Sequence, residues 1–176
     1  HKEISKSNFK KIVKNKINYK ISDLSKSLKL LNIFKNNLIK SKPDLLIILG
    51  DRFEILIAAY CAFMLKIKIA HIHGGEKTKG SLDDQIRHCI SKLSNYHFVV
   101  HDNYKKRLVQ LGENSTNIFN YGSLSSEEIT KIKMLSKNEV LKKNNISDFK
   151  DFVLVSYHPL GIPPLEEKKK VSVLLK

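Results

Sequence analysis

The amino-acid sequence predicts an α/β protein built on a doubly wound parallel sheet. Three observations carry that expectation. Apolar runs of four to six residues alternate with helix-periodic stretches of nine to thirteen, the sequence form of repeated right-handed βαβ units. The run LLIILG, 45 to 50, is apolar without alternation, as strands covered on both faces are. Ionisable and glycine residues then collect directly after each run, at the carboxyl edge where open parallel sheets bind ligands.

Residues 1 to 21 are polar and lysine-rich with scattered isoleucines, and they carry no assignment; a partner-supported segment fits them. From Ser22, placed to cap a helix, Leu24, Leu28, Leu31 and Leu38 recur at helical spacing until Pro43 ends the run. LLIILG is the first strand, and a helix from Phe53 to Leu65 follows at once. IKIAHI, 67 to 72, is a second strand, followed by a glycine-rich loop and a helix from about Leu82 to Ser94. HFVV, 97 to 100, is a third, with a helix from Asn103 to Leu111 closed by Gly112. NIFNYG, 117 to 122, is a fourth, and helical patterns follow near 126 to 135 and 137 to 144. FVLVSY, 152 to 157, reads as a fifth strand ending at His158 and Pro159. There is no repeat of fixed period beyond this alternation.

Composition narrows the function classes. A net charge of +15 would suit nucleic acid or an anionic membrane. The charge is nearly all lysine, however, spread among asparagine, isoleucine and serine, with arginine only at Arg52, Arg87 and Arg107. Arginine is the residue suited to bidentate phosphate and base recognition, and no basic stripe with interleaved aromatics occurs, so no nucleic-acid partner is expected. A small anionic substrate would still benefit from the field. Phe53 to Leu65 is too short to span a bilayer, no signal-peptide pattern opens the chain, and no membrane partner is expected. Cys61 and Cys89 lie in apolar helical patterns outside any CxxC pair, which reads as buried thiols in a reducing, cytoplasmic compartment.

The chemistry concentrates in IAHIHGGEKTKGSLDDQIRH, 69 to 88. Asp51 beside Arg52 at the end of the first strand is either a loop carboxylate in an ion pair or a general acid or base. Its pKa would be raised by a low-dielectric sheet or depressed by Arg52. His71 and His73, two apart on an extended segment, would leave one face. HxH is a metal-ligand spacing, and His88, His97, His101 and His158 could add ligands; the alternative is a packed His71 and a hydrogen-bonding His73. Gly74, Gly75 and Gly80 flank Glu76 and Lys77 in a loop that is neither GxGxxG nor a Walker loop, and that either admits an anion or simply turns. Asp83 and Asp84 open a helix where its dipole favours negative charge, with Arg87 and His88 three to five residues on. Asp51, Glu76 and Asp83 would then converge on one crevice. Proton abstraction beside an anomeric centre needs such a set, with one group ionised to take the proton and another protonated to assist the leaving group.

LIILGDRFEI, AHIHGGEKTKGSLDDQIRHCISKLSNYHF, YKKRLVQLGE, IFNYGSL and FVLVSYHPL, in this order and spacing, resemble the hydrolysing UDP-N-acetylglucosamine 2-epimerases and their relatives acting on UDP-diacetylated bacillosamine, as in sialic-acid-type pathways. The match covers roughly residues 40 to 160, and its HIHGGE to IRH segment is highly specific. The resemblance implies two Rossmann-like domains in the glycosyltransferase-B arrangement. Residues 1–150 would form part of the N-terminal domain and 151–176 the start of a truncated C-terminal one. It implies elimination of UDP from UDP-N-acetylglucosamine, then water addition to give UDP and N-acetylmannosamine, without metal or cofactor, by an enzyme that is a homo-oligomer when intact. UDP-N,N'-diacetylbacillosamine is the alternative substrate, and a non-catalytic remnant the alternative role. Carried over by position, Asp51, Glu76 and Asp83 are the acid/base candidates, with a glutamate in some members where this chain has His73. Arg52, His73, Gly74, Gly75, Asp84, Arg87, His88, Ser123 and His158 are the implied substrate contacts. The family's opening strand and glycine- and arginine-containing loop have no counterpart before His1, and GIPPLEEKKK replaces a polar, threonine-containing continuation after HPL. The chain alone is therefore expected to be inactive or nearly so.

Overall fold

The computed structural model describes residues 24–146, 153–158 and 164–175. Ser22, the lysine-rich segment 1 to 21, Phe152 and Pro159 lie outside the described residues. The elements run α1 (Leu24–Ser41), β1 (Leu45–Leu49), α2 (Phe53–Met64), β2 (Lys68–Ile72), α3 (Leu82–Leu93), β3 (Tyr96–Val99), α4 (Asp102–Gln110), a 3₁₀ turn (Ser115–Asn117), β4 (Ile118–Asn120), α5 (Leu124–Lys131), α6 (Lys137–Lys143) and α7 (Pro164–Leu174). Among the described residues the sheet has four parallel strands in the order β1-β2-β3-β4. Each strand sits beside its predecessor, so right-handed crossovers bring α2, α3 and α4 to the same face.

Local chemistry accounts for the boundaries. The Ser81 hydroxyl accepts the Asp83 N–H and starts α3, and His101 Nδ1 accepts the Asn103 N–H and starts α4. Ser136 and Glu139 form a reciprocal capping box at α6. These caps satisfy helix N–H groups that have no partner inside the helix.

The core lies between the sheet and α1 to α3. Ile48 and Ile69 come from the strands; Ile57, Ala59, Cys61 and Ala62 from α2; Ile86 and Ile90 from α3; Leu30 and Leu38 from α1. Full burial of an isoleucine such as Ile69 or Ile90 contributes about 2 kcal/mol. The alanines of α2 let α1 and α3 approach it from either side. A smaller cluster, Val99, Leu108 and Ile118, seats α4 on β3 and β4. On the opposite sheet face, side chains at the paired register positions Leu49, Ile72, Phe98 and Phe119 lie in line, and Phe98, Phe119 and Tyr121 stack on one another.

Several expectations needed correction. The buried stripe of α1 is Leu30, Leu31, Phe34 and Leu38, while Leu28 points to solvent. A helix with leucines on two sides leaves its phase to be chosen by what it packs against. Cys61 is buried, but Cys89 is exposed, because it falls opposite the stripe Ile86, Arg87, Ile90 and Ser91 that faces the core. The expected fifth strand is not one in residues 153–158, where Val153 and Leu154 are almost fully exposed and no ladder forms. Its composition is that of a strand, but a strand exists only against a partner's N–H and C=O groups.

Candidate active site

Gly50 ends β1 in a left-handed turn, with its N–H held by the Ile72 carbonyl of β2. The next residue, Asp51, is thereby aimed at α3. There its carboxylate accepts a hydrogen bond from Arg87 Nη2. Arg87 comes from the buried face of α3 and is only 6 % exposed. Its Nη2 also donates to Thr78 Oγ1 at 3.3 Å, and its Nη1 lies 4.0 Å from Glu76 Oε2. One guanidinium therefore faces two carboxylates carried by different strand-end loops.

Glu76 has a second partner, with its Oε1 2.5 Å from His73 Nδ1. That contact depends on an unusual backbone. β2 ends at Ile72, and His73 adopts φ +67°, in the left-handed region that costs a non-glycine residue about 1 kcal/mol or more. The same-face expectation for His71 and His73 fails for this reason. His71 turns into the helix layer, toward Gly50 and Ser91, whereas His73 joins Glu76. Among the described residues no group of three or more His, Cys, Asp or Glu side chains is placed to hold a metal ion.

The loop between β2 and α3 is tied down at both ends. Asp84 Oδ1 accepts the Thr78 N–H at 2.8 Å, and Asp84 Oδ2 lies 3.6 Å from His88 Nε2. At the other end Arg107 Nη1 donates to the Gly75 carbonyl at 2.5 Å. Gly75 has φ +74°, and a Cβ there would sit 2.5 Å from the Tyr104 carbonyl oxygen, so both the turn and the close approach of α4 require glycine. Arg107, Tyr104, Thr78 and Ser91 were not legible as site neighbours in the sequence, whereas His71 is the packed histidine of the alternative reading. The scarcity of arginine, Arg107 being one of three, was the one available signal.

The structure thus joins Asp51, His73, Glu76, Asp84, Arg87 and His88 in one connected network. Asp83 stands one helical turn before Arg87, half-buried and with no side-chain partner among the described residues. Gly74 lies against His71 and Ser91. Three positions stand apart. Arg52 turns outward and pairs with Glu54 at 2.6 Å, so the cation facing Asp51 is Arg87 and not its sequence neighbour. Ser123 sits at the N-terminus of α5 without a side-chain capping bond, and His158 is exposed, with Ser156 Oγ 3.1 Å from its Nε2.

Two buried histidines have perturbed acidities. Burial lowers His71 to about 4, with the Gly50 carbonyl opposing that shift. Burial also lowers His97, against the pull of Glu113, whose Oε2 lies 3.2 Å from His97 Nε2.

Fold and site together define a parallel α/β protein with an acid–base cluster at the carboxyl edge of its sheet. Residues 2–171 match the family described as UDP-N-acetylglucosamine 2-epimerase, and the chain belongs to that family. A relative from Campylobacter jejuni named GDP/UDP-N,N'-diacetylbacillosamine 2-epimerase (hydrolyzing) is 44% identical over 77% of this chain and 35% of its own length. One from Legionella pneumophila, named UDP-N,N'-diacetylbacillosamine 2-epimerase (hydrolyzing), is 40% identical over 67% of this chain and 31% of its own. The chain thus spans about a third of the length of these relatives. The fold matches that of UDP-GlcNAc 2-epimerase from Neisseria meningitidis bound to UDP-GlcNAc, with a TM-score of 0.58 at 24% identity, over 73% of this chain and 36% of that one.

Proposed function

We propose that this chain carries the acid–base part of a hydrolysing 2-epimerase acting on a UDP-linked N-acetylated sugar, in the cytoplasm. Residues 1–150 would belong to its N-terminal Rossmann-like domain and 151–176 to the start of a second. The observation that carries the reading is the Asp51–Arg87–Glu76–His73 chain of contacts on one sheet edge, in a member of this family.

In this mechanism one group among Asp51, Glu76 and Asp83 is an ionised base that takes the proton from C2 of the sugar. The electron pair of the C2–H bond becomes the C1=C2 double bond, and the C1–O pair leaves with UDP, assisted by a protonated neighbour. Water then adds its OH to C1 while a proton returns to C2 on the opposite face, which releases the 2-epimer. The Arg87 guanidinium is buried and faces both Asp51 and Glu76, so its role is to hold these two carboxylates in place. His73, His88, Asp84, Gly74 and Gly75 would line the sugar side, while Arg52, Ser123 and His158 would act further out. No cofactor takes part. The intact enzyme would work as a homo-oligomer.

UDP-N-acetylglucosamine is the first substrate choice, giving N-acetylmannosamine. UDP-N,N'-diacetylbacillosamine is the second, favoured by the names of the relatives that are 44% and 40% identical. The test incubates the chain with each sugar nucleotide in heavy water and measures released UDP and deuterium at C2. Because the chain spans about a third of those relatives, slow turnover is expected. Deuterated product that disappears in Asp51→Asn supports the reading and selects the substrate. Absence of UDP from either nucleotide favours a non-catalytic remnant.

A further inference from the structure

His71 takes no part in the chemistry above, yet it is fully buried at the point where β1, β2 and α3 meet. It stands opposite Ile48 in the β1–β2 register and opposite His97 in the β2–β3 register. Both ring nitrogens are engaged. Nε2 is 2.8 Å from the Gly50 carbonyl oxygen, and Nδ1 is 3.1 Å from Ser91 Oγ. A carbonyl can only accept, so Nε2 carries the proton. With the ring neutral, Nδ1 is an acceptor and the Ser91 hydroxyl donates to it. Burial lowers the imidazole to about 4, which agrees with a neutral ring at pH 7.

The neighbours preserve this arrangement. A Cβ on Gly74 would lie 3.1 Å from His71 Nδ1 and 3.2 Å from Ser91 Oγ, so the loop passes directly over the pair. Gly50 is held twice from β2, through its N–H by the Ile72 carbonyl and through its C=O by His71. It is the residue immediately before Asp51.

We propose that His71 is a positioning residue: as the neutral Nε2–H form, clamped by Ser91, it fixes the Gly50 carbonyl and so holds the Asp51 carboxylate against Arg87. The proposal rests on the epimerase reading only for the importance of Asp51, and its test needs no turnover. In the full chain at pH 7, long-range nitrogen–proton NMR of the imidazoles should show His71 protonated on Nε2 alone. His71→Leu, which cannot donate, should speed exchange of the Arg87 guanidinium protons by up to about tenfold, the factor corresponding to one lost hydrogen bond. His71→Gln, whose amide can donate to Gly50, should restore the protection. A merely structural role would raise exchange uniformly through the sheet amides, rather than selectively at Gly50, Asp51 and Arg87. A His71 protonated on Nδ1 or on both nitrogens overturns the proposal, and this measurement stands even if His71→Leu does not fold. Unchanged Arg87 exchange in a folded His71→Leu also overturns it. Failure of the epimerase reading would alter none of these outcomes.

Discussion

Acidification from pH 7 to pH 5 should destabilise this protein by about 2 kcal/mol through His71 alone. The unfolded imidazole titrates near its ordinary 6.5, while the folded one is pushed by burial to about 4. Between those values the unfolded chain binds a proton that the folded chain refuses, so stability falls as pH falls, by about 1.4 kcal/mol per pH unit. The loss begins near 6.5, reaches about 2 kcal/mol at pH 5 and about 3 kcal/mol near pH 4. His97 is lowered as well and acts in the same direction. Urea unfolding followed by circular dichroism at pH 7 and pH 5 measures the effect, and a 2 kcal/mol change moves the midpoint by about 1 to 2 M for a domain of this size. His71→Gln keeps a donor for Gly50 but has no proton to take up, so its midpoint should depend much less on pH. Equal pH dependence in wild type and His71→Gln, or a wild type that gains stability on acidification, would refute the reasoning.

Three other perturbations have definite expected outcomes. Gly75→Ala forces a left-handed backbone on a Cβ that also meets the Tyr104 carbonyl at 2.5 Å, and should cost about 2 kcal/mol or more in thermal or urea unfolding. Asp51→Asn removes the charge facing the buried Arg87 guanidinium and should cost about 2 kcal/mol at pH 7, read from the same unfolding curves. Ser81→Ala deletes the hydroxyl that accepts the Asp83 N–H and should cost about 1 kcal/mol, with faster amide exchange confined to the first turn of α3.

The order and type of the elements from α1 to α6 were legible because each reflects a local signal. The runs at 45–50 and 67–72 were legible as strands from their length and apolar content, and the helices between them from their own periodicity. The expectation that the first is covered on both faces fails: Leu45, Ile47 and Leu49 line an exposed face, Ile47 being 63% exposed, because α1 to α3 cover only the face of Leu46 and Ile48. Boundaries moved by one to a few residues wherever a cap decided them, as at His101 for α4. The approach of Asp51 and Glu76 to one helix, α3, was also legible, since parallel strands in sequential order must deliver their carboxyl ends to one edge.

The partners within that cluster were not legible. Arg52 is adjacent to Asp51 in sequence, but Arg87, thirty-six positions away, faces its carboxylate, because α2 turns Arg52 outward while α3 buries Arg87. His71 and His73 share a spacing that says same face, and a positive φ at His73 separates them. FVLVSY has the composition of a strand and forms none in residues 153–158, because pairing is a property of two segments. What the sequence determined by itself is therefore the local and the periodic: helix, strand, the sheet edge where chemistry collects, and the family. The tertiary structure decided which charge meets which, since hydrogen bonds and ion pairs act over about 3 to 4 Å and depend on how packed helices are rotated, which no single segment specifies.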